Sequence, residues 1–160
     1  LSFTRLQRFS ERWSLLFAGA GQVASGPLFG SEAFYLGGPF SGRAFRGDDV
    51  SGDAGLAGLA ELRYDQSLES KLIKSYQLYV FIDGGAVWDH GTGYGDRATL
   101  SSLGAGLRLA LRDDLTAGVE VAVPIGDYSA SSSDGGPRLF FTISQSFKGC
   151  PNRSLVCLPN

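Results

Sequence analysis

The sequence predicts an all-β protein: about seven antiparallel strands that form the C-terminal part of a transmembrane β-barrel, with one long inward-folding loop. Three observations carry this. Apolar and polar residues alternate with period two over runs of ten or more, whereas soluble strands cluster near ~5–6 residues. Glu61, Arg63, Asp83, Arg108, Glu120 and Arg138 all fall on the face opposite the apolar one. The connections are unequal, some very short and others long and rich in Gly, Ser and Asp, as in barrels with periplasmic turns and extracellular loops.

Ser75 to Asp89 is the clearest strand. Its even positions read Tyr76, Leu78, Val80, Ile82, Gly84, Ala86 and Trp88, against Ser75, Gln77, Tyr79, Phe81, Asp83, Gly85, Val87 and Asp89. The first face carries no charge and begins and ends on an amphipathic aromatic. Tyr76 to Trp88 spans about 40 Å at ~3.3 Å per residue, or about 30 Å of height at a tilt of ~40°, near the girdle spacing of barrels.

The other strands repeat the pattern. Trp13, Leu15, Phe17 and Gly19 oppose Ser14, Leu16, Ala18 and Ala20, and residues 1–9 read as the end of one further strand. Leu56, Gly58, Ala60, Leu62 and Tyr64 oppose Ala57, Leu59, Glu61 and Arg63. Leu103, Ala105, Leu107, Leu109 and Leu111 oppose Gly104, Gly106, Arg108, Ala110 and Arg112. After a short turn at Asp113-Asp114, Leu115, Ala117, Val119, Val121, Val123 and Ile125 oppose Thr116, Gly118, Glu120, Ala122 and Pro124. The last strand sets Leu139, Phe141, Ile143 and Phe147, with Gln145 intruding, against Arg138, Phe140, Thr142, Ser144 and Ser146.

A soluble sandwich would also keep charge off its inner face; strand length favours the membrane. A lipid-facing charge near the midplane costs ~2–4 kcal/mol, while a water-filled lumen tolerates it, so Glu61, Arg63, Arg108, Glu120 and Arg138 are expected in the lumen. No apolar run reaches the ~18–20 residues of a membrane helix.

Composition narrows the function classes. A net charge of −2 with only 19% charged residues provides no basic surface, so no nucleic-acid partner is expected. The chain has no methionine and no secretory signal, which with an odd strand count predicts a portion of a longer precursor. Residues 1–147 are read as barrel and 148–160 as a tail, where the plain reading of Cys150 and Cys157 is a local disulfide suited to an oxidising compartment. No metal or other cofactor is expected.

The segment Leu36 to Asp49 is too long and glycine-rich for a hairpin turn, and such loops are usually functional or disordered. Folded inward, it would bring Arg43 or Arg46 beside a lumenal carboxylate, with Asp83 the best candidate for a bidentate contact. Left outside, it would be a solvated loop with two exposed arginines. The residues alone leave both readings open.

Gly37-Gly38, Gly42-Arg43-Ala44-Phe45, Gly52-Asp53-Ala54-Gly55-Leu56, Glu61-Leu62-Arg63-Tyr64 and Phe81-Ile82-Asp83-Gly84-Gly85 resemble one family. They are similar to the TpsB transporters of two-partner secretion, the haemolysin secretion/activation proteins of ShlB/FhaC/HecB type, which are related to the BamA assembly factors. The resemblance covers residues 1–147. It implies that a long loop enters the lumen and that its arginine, here Arg43 in Gly42-Arg43-Ala44-Phe45, locks onto Asp83, with Phe81 and Gly85 as supporting positions. The tip departs from the family's Val-Arg-Gly-Phe/Tyr and leaves Arg46 as a rival. The family's periplasmic modules are not in this chain. The family ends at the aromatic that closes the last strand, here Phe147 with Phe141 before it as the terminal-strand signal, whereas this chain continues to Asn160.

The resemblance implies a bacterial outer-membrane pore that passes an unfolded haemolysin- or adhesin-like exoprotein to the cell surface. Its partners would be that client, outer-membrane lipid and the barrel assembly machinery. Alternatives are a BamA-like assembly or insertion factor and a passive porin-like channel. An enzyme is not expected: the single histidine, His90, reads as an exposed rim residue, and no serine has a nucleophile-elbow context.

Overall fold

The computed structural model describes residues 1–46, 50–68, 70, 72–90, 97–111, 114–125 and 136–146. Its strands are β1 (Ser2–Arg8), β2 (Trp13–Gln22), β3 (Phe34–Leu36), β4 (Val50–Gly52), β5 (Ala54–Ser67), β6 (Ser75–Trp88), β7 (Arg97–Ala110), β8 (Leu115–Pro124) and β9 (Arg138–Gln145). Seven form one sheet in the order β1-β2-β5-β6-β7-β8-β9, each neighbour antiparallel, and β3 pairs with β4 as a separate ribbon. The chain is therefore an all-β wall made of successive hairpins. Among the described residues β1 and β9 each have one strand neighbour, so the sheet is an open arc.

The three central strands, β5, β6 and β7, are 14 residues each, beyond the ~9–11 that cross a bilayer at a tilt. Their outward face is exposed and apolar: Leu56, Leu78, Val80, Ile82 and Leu103, continued by Val121 on β8 and Leu139, Phe141 and Ile143 on β9. Such a patch is a liability in water and a solvent match in lipid. Trp13, Tyr64 and Tyr76 form an outward aromatic cluster near the short-turn end, with centroid separations of 5.0 Å and 6.4 Å. Among the described residues no helix is long and apolar enough to cross a membrane.

The inward face is not simply wet. Leu59, Phe81, Val87, Leu100 and Ala122 of the wall are buried against Leu36, Ala44 and Phe45 of the loop between β2 and β5. The hydrophobic core thus lies on the concave side, and the loop completes it.

Several element boundaries differ from those the alternation suggested. The stretch 23–53 contains β3 and β4. Asp65, Gln66 and Ser67 belong to β5, paired with Gln77, Tyr76 and Ser75. β7 begins at Arg97, not Leu103, because the pattern inverts there: inward Leu100 is buried beneath the loop, while the outward positions Arg97, Thr99 and Ser101 are polar. Such positions suit a rim above the hydrocarbon band.

Candidate functional site

The site is built where the loop meets the inner wall. Phe34–Leu36 and Val50–Gly52 pair to form its stem, and the fully buried Leu36 packs over Gly85 of β6. Beyond the stem, Gly37 and Gly38 take φ of 108° and 82°, which turns the chain, and the Gly37 amide donates to the Ser41 carbonyl at 2.7 Å. Gly42 has φ of 93°, a conformation that side chains rarely adopt, and its carbonyl accepts from the Phe45 amide at 2.9 Å. This tight tip buries Ala44 and Phe45 against the wall, at 0% and 4% exposure, and aims Arg43 along it.

Arg43 meets carboxylates from three strands. Its Nη2 donates to Glu61 Oε2 of β5 at 3.1 Å, and its Nη1 to Glu120 Oε2 of β8 at 2.8 Å. Its Nε lies 3.4 Å from Asp83 Oδ2 of β6 while donating to the Pro39 carbonyl at 3.0 Å. Asp83 Oδ1 accepts the Gly42 amide at 2.7 Å, the Arg43 amide at 3.3 Å and the Ser102 hydroxyl. Glu61 is a second hub, accepting Arg63 Nε at 2.7 Å and Arg108 Nη1 at 2.9 Å on Oε1. Arg43, Arg63 and Arg108 therefore balance Glu61, Asp83 and Glu120. Balance matters, because the side chains of Glu61 and Asp83 are 0% exposed and a lone charge there would be strongly destabilising.

The floor of this network is aromatic. Sheet register sets Phe81 opposite Gly104 and Tyr79 opposite Gly106 on β7. A Cβ at either glycine would collide with the ring beside it, so both rings sit over bare backbone. The Arg43 guanidinium sits 4.0 Å from the Phe81 centroid and that of Arg108 3.7 Å from Tyr79. Such cation–π contacts are worth ~0.5–2 kcal/mol. Towards the short turns the concave face lines a half-open groove of about 1330 Å³, with Phe40 and Arg43 on its loop side and Arg63, Gln77, Arg108 and Arg138 among its wall residues.

The residues singled out in the sequence are distributed as follows. Gly42, Arg43, Ala44 and Phe45 are buried against the inner face, and Arg46 is exposed beyond the tip. Phe81 and Asp83 contact the tip, and Gly85 lies beneath the stem. Glu61, Arg63, Arg108 and Glu120 join the network; Arg138 lines the same groove and lies 5.6 Å over the Phe140 ring. Phe141 faces outward. Phe147, Cys150 and Cys157 lie outside the described residues.

Three participants were not anticipated. Tyr79 hydrogen-bonds Glu120, Ser102 holds Asp83, and Asp53 clasps the rim. Asp53 accepts the His90 amide at 2.8 Å and the Leu28 amide at 2.7 Å, and these two donors hold its carboxyl below the ordinary carboxylate range. The strand pattern had already placed Tyr79 inward, where its hydroxyl needed a partner. Nothing local marked Ser102 as an anchor, and Asp53 stood in the Gly52-Asp53-Ala54-Gly55-Leu56 motif without a role of its own.

A membrane wall with its inner face covered by an arginine-tipped loop defines the class: an outer-membrane β-barrel protein. The family model for the haemolysin secretion/activation proteins ShlB/FhaC/HecB matches residues 1–109, and the chain belongs to that family. Its members are outer-membrane transporters of two-partner protein secretion. Comparison with curated proteins and with solved structures gives no match.

Proposed function

We propose that this chain forms part of a pore through which an unfolded haemolysin- or adhesin-like exoprotein crosses the outer membrane, and that the Arg43 loop is its internal lock. The observation that carries this reading is the position of Arg43 among Glu61, Asp83 and Glu120 on the inner wall. The groove beneath the loop supports it, since Glu61, Arg63, Gln77, Arg108 and Arg138 in its mixed polar and apolar lining offer an extended chain polar partners. The chemistry is transport without a covalent step. The outward apolar face is the lipid contact, and the barrel assembly machinery is the partner during biogenesis.

The lock holds through a buried, balanced ion network. Removing one partner from such a network costs ~3–5 kcal/mol, because the remaining charge is left uncompensated. In the intact outer-membrane protein, Arg43→Ala and Asp83→Ala should each lower export of the client and change single-channel conductance at equal surface abundance. Unchanged export and conductance in both variants would overturn the proposed lock. Conductance that changes while export does not would favour a passive channel.

A further inference from the structure

The guanidinium of Arg43 and the carboxylate of Asp83 are neighbours, yet their hydrogen bonds go elsewhere. Asp83 Oδ1 is occupied by the Gly42 and Arg43 amides and the Ser102 hydroxyl. Asp83 Oδ2 is buried without a hydrogen bond, because the Arg43 Nε–H it faces is directed to the Pro39 carbonyl. The side-chain hydrogen bonds of Arg43 to the wall are made by its terminal nitrogens, to Glu120 at 2.8 Å and Glu61 at 3.1 Å.

These two carboxylates are not equivalent. Glu61 is already engaged by Arg63 at 2.7 Å and Arg108 at 2.9 Å, so its charge is shared. Glu120 makes its described ion pair with Arg43, and the shorter of the two contacts. Its Oε2 also accepts the Tyr79 hydroxyl at 2.7 Å, which fixes that oxygen in front of Nη1. Glu120 lies on β8, two strands beyond Asp83.

We propose that Glu120, held by Tyr79, is the positioning residue for the Arg43 guanidinium, while Asp83 chiefly binds the backbone of the loop tip. This rests on the loop being a lock and divides that lock into two attachments. The tip's backbone is fastened to β6 and its side chain to β8, with Glu61 of β5, on the other side of β6, as a further contact. Lifting the loop then has to release β8 as well as β6.

The test uses the intact transporter, purified in detergent, with Cys150→Ser and Cys157→Ser and a reporter at Ser41→Cys. Ser41 is buried at 6% exposure, so maleimide labelling of the reporter reads lifting of the loop. Glu120→Gln should raise the labelling rate roughly tenfold, the scale of one lost charge-assisted hydrogen bond, and Glu120→Asp should restore part of it. In an Arg43→Ala background the same Glu120→Gln change should add nothing, because the group it positions is gone. Equal effects with and without Arg43, or no effect of Glu120→Gln where heat-modified gel mobility shows a folded barrel, would overturn the proposal. Faster labelling with normal export would uphold this attachment and overturn the lock instead.

Discussion

Tyr79 and Arg43 donate to the same oxygen of Glu120, at 2.7 Å and 2.8 Å, although they lie on the wall and on the loop respectively. A phenol on β6 thus fixes the carboxylate that receives the loop. Tyr79→Phe removes that one donor and leaves the ring over Gly106 to carry Arg108. A hydrogen bond to a charged acceptor is worth about 1.5–3 kcal/mol, so the Ser41→Cys reporter should label about tenfold faster or more. Labelling at the original rate would mean that Glu120 is held without the hydroxyl.

Arg43→Lys keeps the charge and loses the fork. The guanidinium reaches Glu61, Glu120 and the Pro39 carbonyl from three separate nitrogens and stacks on Phe81. An ammonium is a compact point charge and does not stack as a plane. Export by Arg43→Lys should therefore fall near that of Arg43→Ala, measured as client in the medium per transporter in the outer membrane. Recovery of more than about half of export would show that charge, not planar geometry, carries the contact.

Gly106→Ala and Gly104→Ala should each destabilise the barrel by about 1–3 kcal/mol through overpacking. At Gly106 the added methyl enters the space of the Tyr79 ring, and at Gly104 that of the Phe81 ring and of the Val121 carbonyl oxygen on β8, and each tips the platform beneath the guanidinium groups. Gly58→Ala is the control, since a Cβ there meets only the Ala18 carbonyl oxygen at 3.9 Å. Thermal unfolding followed by circular dichroism should separate the pair from the control. Equal midpoints for all three would remove the argument that these glycines exist to seat the rings.

Period-two alternation made the wall legible because lipid and lumen impose opposite chemistry on successive residues. It failed where that contrast fails. At the start of β7 the outward positions Arg97, Thr99 and Ser101 are polar, and Leu100 is inward because the loop covers it. The loop's arginine and its aspartate were visible as a pair of charges on a loop and a polar face. The division of contacts was not, since the Oδ1 acceptors of Asp83 are filled by backbone amides that no side-chain pattern reports. Glu120 was readable as lumenal, but its reach to the residue that also meets Glu61 and Asp83 depends on the registers of three strand pairs, from β5 to β8.

Asp53 offers a pH test away from the ion network. It joins the loop at Leu28 to the end of β6 at His90 through two backbone amides, and the Nδ1 of His90 lies 3.9 Å from its carboxylate. The donors at His90 and Leu28 lower its pKa from the ordinary 3.8. For a carboxyl lowered on folding, the contribution is fully present above the ordinary value and is lost as pH falls through the folded one. The clasp should therefore be constant at neutral pH and open only under distinctly acid conditions. Hydrogen exchange at the Leu28 and His90 amides, corrected for intrinsic rates, should show protection retained through the ordinary carboxylate value and lost only below it, at both together. Asp53→Asn should weaken protection at both amides and remove its acid dependence. An Asp53→Asn variant that keeps the parent's protection and acid dependence at both amides would overturn the assignment to Asp53.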